Sequence, residues 1–168
     1  MNYYNAISKG YSRLHGEEQQ KKAAIIAGKL ELCKATQQSK NLTLLDVGCG
    51  NGSYLKLFKC QVTGIDLSEK LVKQYKGKHK LMCGCAEELP FENNTFDFVI
   101  SLTAIHNFND IRKGMEEMER VGRSRFVFSI LKRSSKLQEI QSLIKELFGI
   151  DEIIEEDKDI IFFAHKKI

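Results

Sequence analysis

The chain contains no tryptophan, a single proline and no apolar run approaching the ~20 residues of a bilayer-spanning helix. Its opening, Met1-Asn2-Tyr3-Tyr4-Asn5, has no basic region followed by an apolar stretch and does not read as a secretory signal. No internal repeat, low-complexity tract or Pro/Gly/Ser-rich linker interrupts the 168 residues, so one domain over 1–168 is expected. A domain of this size buries about 70% of its unfolded surface and needs no cross-link to hold together. Hydrophobic residues at 42% and charged residues at 29% exclude disorder and a collagen-like fibre. The five cysteines are odd in number and read as reduced thiols of a cytoplasmic protein. Cys83 and Cys85 form a C-x-C pair, but no second pair or nearby histidine completes a zinc ligand set, so no metal is expected. The net charge of +4 permits contact with a polyanion without requiring it.

The first 41 residues are helical in character, with Ala23, Ile25, Ile26, Leu30 and Cys33 recurring near a 3.6-residue period. From Leu42 onward, short apolar runs alternate with amphipathic stretches. The runs Leu42–Val47, Gln61–Ile65, Lys80–Cys83, Phe96–Leu102, Arg125–Leu131, Ile150–Ile154 and Ile160–Ala164 predict seven strands. Helices are predicted over Gly52–Phe58, Glu69–Tyr75, Asp110–Val121 and Ser135–Phe148. This alternation implies right-handed crossovers and an α/β fold: a mostly parallel seven-stranded sheet with helices on both faces. Only Glu155–Asp159 separates the last two runs, too short for a helical crossover, so they close as an antiparallel hairpin. Ligands of such sheets bind beyond the carboxyl ends of the strands, near the switch in strand order.

The densest chemistry is Leu44-Leu45-Asp46-Val47-Gly48-Cys49-Gly50-Asn51-Gly52, an apolar strand running straight into G-x-G-x-G. Glycines at that bend tolerate positive φ and let a ligand approach the backbone. Asp66 closes the next strand, where a carboxylate can accept both hydroxyls of a ribose. A dinucleotide site would use G-x-G-x-x-G and a helix N-terminus open to pyrophosphate. Here the third glycine comes one residue early, and Asp46 sets a negative charge beside the site. No Gly-Lys-Ser/Thr follows for a P-loop. The pattern suits a nucleoside with a cationic tail.

Four motifs in order resemble those of the class I S-adenosylmethionine-dependent methyltransferases. They are the glycine segment above, Gly64-Ile65-Asp66-Leu67-Ser68, Ala86-Glu87-Glu88-Leu89-Pro90-Phe91 and Phe96-Asp97-Phe98-Val99-Ile100-Ser101, spanning nearly all of Leu42–Leu131. The resemblance, to the type 11 and ubiquinone-biosynthesis-like members, implies a Rossmann-like methyltransferase fold with S-adenosylmethionine as cofactor. It places the methionine moiety against Gly48, Cys49, Gly50 and Gly52, its amino group near Asp46, the ribose on Asp66 and the adenine on Leu67. Ala86 and Glu87 would meet the adenine edge, with Ser101 at the end of the fourth strand. Relatives often carry Asp before the Ala-Glu pair; Cys85 stands here and is a poor acceptor for the adenine amino group. The segment Ser101-Leu102-Thr103-Ala104-Ile105-His106-Asn107-Phe108 would floor the acceptor pocket, with His106 either a general base or a wall residue. Because the sulfonium leaving group is strong, holding the acceptor in line supplies most of the catalysis.

The resemblance extends to the N-terminus, where 1–41 implies a helical lid and Tyr11 would cover the methionine end. The alternative is that Tyr4 and Tyr11 form a helix face against the sheet. The glycine segment and the Ser101–Phe108 stretch look locally like the tRNA wobble-uridine methyltransferases. That likeness implies a tRNA or other translation component as acceptor and a small zinc-ribbon activator protein at the edge of the third strand, with no membrane partner. A small-metabolite methyltransferase and a non-catalytic cofactor-binding subunit are the alternatives. Arg120-Val121-Gly122-Arg123-Ser124-Arg125, with Lys132 and Arg133, is either an RNA phosphate contact or solvated charge favouring a helix C-terminus.

Overall fold

The computed structural model describes residues 3–168; within the first helix the side chains of residues 3–12 and of Leu14 lie outside the described residues. The expectation for the Tyr4 and Tyr11 side chains therefore falls outside them as well. The elements in chain order are α1 (Tyr3–Lys29), α2 (Gln37–Asn41), β1 (Thr43–Val47), β2 (Gln61–Asp66), α3 (Glu69–Val72), β3 (Lys80–Cys83), β4 (Phe96–Leu102), α4 (Ile111–Val121), β5 (Gly122–Leu131), α5 (Leu137–Leu147), β6 (Phe148–Glu155) and β7 (Asp159–Lys166). One-turn 3₁₀ helices lie at Leu55–Leu57 and Ile105–Asn107.

The seven strands form one sheet in the order β3-β2-β1-β4-β5-β7-β6. β1 through β5 pair in parallel, and β7 inserts antiparallel between β5 and β6. This is the α/β architecture with a mostly parallel sheet read from the alternation of runs, and it agrees with the Rossmann-like fold that the resemblance implies, with the terminal hairpin inside the sheet edge. The order reverses between β1 and β4, so their carboxyl ends flank the switch point.

Strand side chains alternate between two cores. Leu45, Val99, Phe126 and Phe128 face α4 and α5, whereas Leu44, Phe98, Ile100 and Val127 face α1. On the first face Phe148 packs between Phe126 and Phe128, with ring centroids 4.6 and 5.0 Å away. Each such buried ring contributes about 1.5–3 kcal/mol through its burial. α4 begins where Asp110 caps it, accepting from the Lys113 N–H at 3.0 Å, and presents Ile111, Met115 and Met118 inward. On the opposite face Ala23, Ile26, Ala27 and Leu30 of α1 are buried. The later half of the expected lid segment is thus part of the core.

Two predicted helices are far shorter than their patterns. Gly52–Phe58 supplies only the Leu55–Leu57 turn, and Glu69–Tyr75 only α3. Positive-φ glycines at Gly48, Gly50 and Gly52 run up to the first residue of the first stretch, and Gly77 and the Lys-rich loop follow the second, so neither has the length to propagate a helix.

Candidate active site

β1 is apolar up to Asp46 and Val47 and then turns at Gly48, whose φ of +81° is left-handed. A Cβ there would stand 2.4 Å from Ala104 Cβ, so only glycine lets the turn close against the chain leaving β4. The Gly48 and Cys49 N–H groups both donate to the Ile65 carbonyl, at 2.8 and 3.1 Å, tying the turn to the end of β2. At Gly50, φ is +56° and none of the described residues lies within 4 Å of where a Cβ would sit, leaving a backbone shelf open to a ligand.

Asp66 joins the loops after β1 and β2. Its Oδ2 accepts from the Gly50 N–H at 2.8 Å and its Oδ1 from the Ser68 N–H at 2.8 Å. An ionised carboxylate has lone pairs left for further donors, so Asp66 is fixed in place and still able to receive hydroxyls. Beside it lies a cavity of about 250 Å³ whose lining includes Gly48, Asp66, Leu67, Ala86, Asn107 and Phe108. Leu67 is 67% exposed, an apolar side chain with no protein cover at the edge of that cavity. Cys85 and Glu87 also line it, and Glu87 accepts from the Asp110 N–H at 3.1 Å.

Asp46 is 0% exposed. The Tyr54 hydroxyl donates to its Oδ2 at 2.6 Å, and its Oδ1 has no hydrogen-bond partner among the described residues. Burial, opposed by the Tyr54 bond and reinforced by the charge of Asp66, pushes the Asp46 carboxyl up to about 7. The same burial, with Asp46 beside it, raises the Tyr54 phenol well above its ordinary value. An orphaned buried acceptor destabilises a fold, and a cation from a ligand satisfies it and restores its charge. The open shelf at Gly50, the unpartnered Asp46 oxygen, the acceptor at Asp66 and the bare face of Leu67 together fit a nucleoside with a cationic tail.

Asp46 and Gly50 flank the lining residues Val47 and Gly48 in sequence without lining the cavity themselves, and other expected residues sit elsewhere. Ser101 is buried, and its hydroxyl donates to the Val47 carbonyl at 2.8 Å, so it pins β4 to β1 and does not line the cavity. The Cys49 side chain packs against Gly64 in the core, and burial raises its thiol. Gly52 adjoins Tyr75 and Leu81, away from the cavity. His106 is half-buried on the 3₁₀ turn after β4; burial first, and then the charge of Lys136, lower its pKa. The cavity is lined by its neighbours Ala104, Asn107 and Phe108.

A polar cluster that the sequence did not point to lies where β4 ends. Lys22 of α1 and Asp159 of β7, each with a side chain 5% exposed, form an ion pair at 3.1 Å. Lys22 Nζ donates to Thr103 Oγ1, which also bonds Ser129 Oγ at 3.2 Å. Thr103 carries a φ of +54°, a conformation that costs a non-glycine residue on the order of 1 kcal/mol or more. The cluster offsets that cost and sends the chain from β4 back so that Ala104 meets Gly48. Gln19, one turn before Lys22, is buried with its Oε1 unpartnered. The signal was present: Gln19 and Lys22 continue the stripe of Ala23, Ile26 and Ala27 at helical spacing, where polar residues are out of place.

Comparison with known proteins supports the same reading. The family model described as a methyltransferase domain matches residues 45–129. Demethylmenaquinone methyltransferase of Staphylococcus aureus is 35% identical over 133 residues, covering 70% of this chain and 53% of that protein. The chain spans about half the length of the curated relatives it matches. Magnesium protoporphyrin IX methyltransferase from Synechocystis, solved with bound S-adenosylmethionine, superposes with a TM-score of 0.71 at 19% identity, over 89% of this chain and 80% of that one. A chain from the complex between the Haloferax volcanii Trm112 methyltransferase activator and a methyltransferase superposes with a TM-score of 0.69 at 14% identity, over 100% of this chain and 99% of that one. The chain belongs to the methyltransferase-domain family, on the class I fold whose members take S-adenosylmethionine as cofactor.

Proposed function

We propose that the chain binds S-adenosylmethionine across the carboxyl ends of β1 and β2 and directs its methyl group to an RNA acceptor, tRNA or another translation component. The observation that carries the cofactor assignment is the buried Asp46 carboxyl, with one oxygen unpartnered among the described residues, two residues before the positive-φ glycine turn. In this reading Asp46 holds the amino group, Asp66 the ribose hydroxyls, Leu67 the adenine face, and Cys85, Ala86 and Glu87 its edge. Tyr11 is assigned to the methionine end. The bound cofactor supplies an electrophilic methyl on a good leaving group, so the chain's task is to position the acceptor and exclude water. Ala104, Asn107 and Phe108 present the surface for that task. His106, with its pKa lowered and its ring neutral at pH 7, is available to take a proton where the acceptor is a hydroxyl or a protonated amine.

The RNA reading draws support from the local likeness of Gly50–Leu55 and Ser101–Phe108 to wobble-uridine methyltransferases. A small zinc-ribbon activator belongs to the same proposal. Among the described residues β3 pairs only with β2, and its other edge, with Leu81 and Met82 half-buried, offers backbone groups to an added strand. The structural neighbour from an activator complex supports it too. The second reading, a small-metabolite acceptor, is favoured by the identity with demethylmenaquinone methyltransferase. Incubation with cofactor labelled in the methyl group, total tRNA and a quinone extract decides between them. Label precipitating with tRNA supports the first reading and label in the organic phase the second. Cofactor binding with no S-adenosylhomocysteine formed on either pool overturns both in favour of a non-catalytic subunit.

A further inference from the structure

A second cavity, of about 680 Å³, lies on the far side of the glycine turn. It is bounded by the loop before β1, Asn51–Ser53 of the turn, the stretch entering β2 and the loop entering β3. The crossovers here are single turns, Leu55–Leu57 and Glu69–Val72, which leave open the room a longer helix would fill. Its lining carries Lys40, Lys56, Lys59, Lys76, Lys78 and His79 and no aspartate or glutamate. All five lysines are exposed. Some lysines elsewhere are paired, as Lys29 is with Glu152 at 2.8 Å and Lys73 with Glu69 at 2.8 Å, while others, Lys34, Lys70 and Lys80 among them, have no carboxylate partner among the described residues. None of these five has a carboxylate partner among the described residues.

Five unpaired cations in one concavity repel one another and concentrate a field that the chain's +4 overall charge does not convey. Tyr75 also lines the groove, its hydroxyl accepting from the His79 N–H at 3.1 Å, and supplies an aromatic ring of the kind on which unpaired bases stack. The exposed large apolar side chains among the described residues, Leu67, Leu71, Ile153 and Ile168, lie outside the groove. Its rim is continuous with the cofactor turn: Asn51 and Gly52 line the groove, and Gly48, four residues before Gly52, lines the cofactor cavity.

We propose that this lysine groove, which reaches the amino ends of β2 and β3, binds the phosphate backbone of an unpaired RNA strand whose methyl acceptor lies at the carboxyl ends of the strands. This rests on the RNA reading above. The basic cluster at Arg123 and Arg125 lies outside the groove, and Arg123 is held by Asp97 at 2.8 Å.

Fluorescence anisotropy of a labelled oligouridylate, titrated with the whole chain at several salt concentrations, tests the proposal. With five lysines on phosphates, log K should fall against log salt with a slope of about −3.5. The variant Lys76→Gln/Lys78→Gln should bind about tenfold more weakly and lessen that slope by about 1.4, whereas Arg123→Gln/Arg125→Gln should leave both unchanged. Thermal midpoints show that each variant is folded. Equal binding by the Lys76/Lys78 variant, or loss in the Arg123/Arg125 variant, overturns the assignment. So does binding to phosphatidylserine vesicles without binding to the oligonucleotide. S-adenosylhomocysteine titrated into the same samples separates this test from the reading it rests on. Cofactor binding without lysine-dependent RNA binding refutes only the groove. Lysine-dependent RNA binding without cofactor binding refutes the enzyme and leaves the groove.

Discussion

Asp46 offers a quantitative test because its environment acts against it. The buried carboxyl titrates at about 7 in the fold against 3.8 in a free carboxyl. Between those values the folded state holds a proton that the unfolded state has lost. Stability contributed by this group is therefore complete below about pH 4, declines as pH rises, and is lost above about pH 7. At 1.36 kcal/mol per unit, the full loss is on the order of 4 kcal/mol, and about 3 kcal/mol of it falls between pH 5 and pH 8. Asp46→Asn removes the titration while keeping an acceptor for the Tyr54 hydroxyl. Its amide nitrogen takes the unpartnered position, at a cost of about 1–3 kcal/mol that does not vary with pH. Urea denaturation of both proteins at half-unit steps of pH gives the difference in stability. Carboxylates held low, such as Asp97 and Glu117, cancel in that difference. The variant should gain about 3 kcal/mol on the wild type from pH 5 to pH 8. A difference flat with pH refutes the desolvated carboxylate. An ammonium placed beside Asp46 reverses its shift, so S-adenosylhomocysteine binding near pH 6 should release close to one proton. Calorimetry in two buffers of different ionisation enthalpy reads this directly.

Lys22→Met strands Asp159 in the core and should cost about 3–5 kcal/mol, while Lys22→Met/Asp159→Leu should recover most of the loss in a denaturation cycle. Gly48→Ala drives a methyl group into Ala104 and requires a left-handed alanine; cofactor affinity should fall at least tenfold by calorimetry, with a lowered thermal midpoint. Leu67→Ser alters a side chain that is 67% exposed, so stability should change by less than about 0.5 kcal/mol while cofactor binding weakens several-fold.

The sequence made the sheet legible because buried parallel strands are short apolar runs with glycine or charge between them; Lys80–Cys83 and Phe96–Leu102 match to the residue. The crossover helices after β1 and β2 were over-read, because a few residues of amphipathic pattern cannot show whether a helix has the length to propagate. The placement of Asp46 and Gly48 at the end of β1 and of Asp66 at the end of β2 was legible because backbone geometry fixes residue type at such turns. Lys22, Thr103 and Asp159 were not, since 81 residues separate Lys22 from Thr103 and the fold alone brings them together. Ser101 looked like a ligand contact because it ends β4 beside the site, yet its hydroxyl serves the Val47 carbonyl.

The most direct test of the central claim is calorimetric titration of the chain with S-adenosylmethionine and S-adenosylhomocysteine, alongside Asp66→Ala. We predict micromolar binding by the wild type and a loss of at least tenfold in the variant. No heat at millimolar cofactor, or equal affinity in Asp66→Ala, would contradict the site.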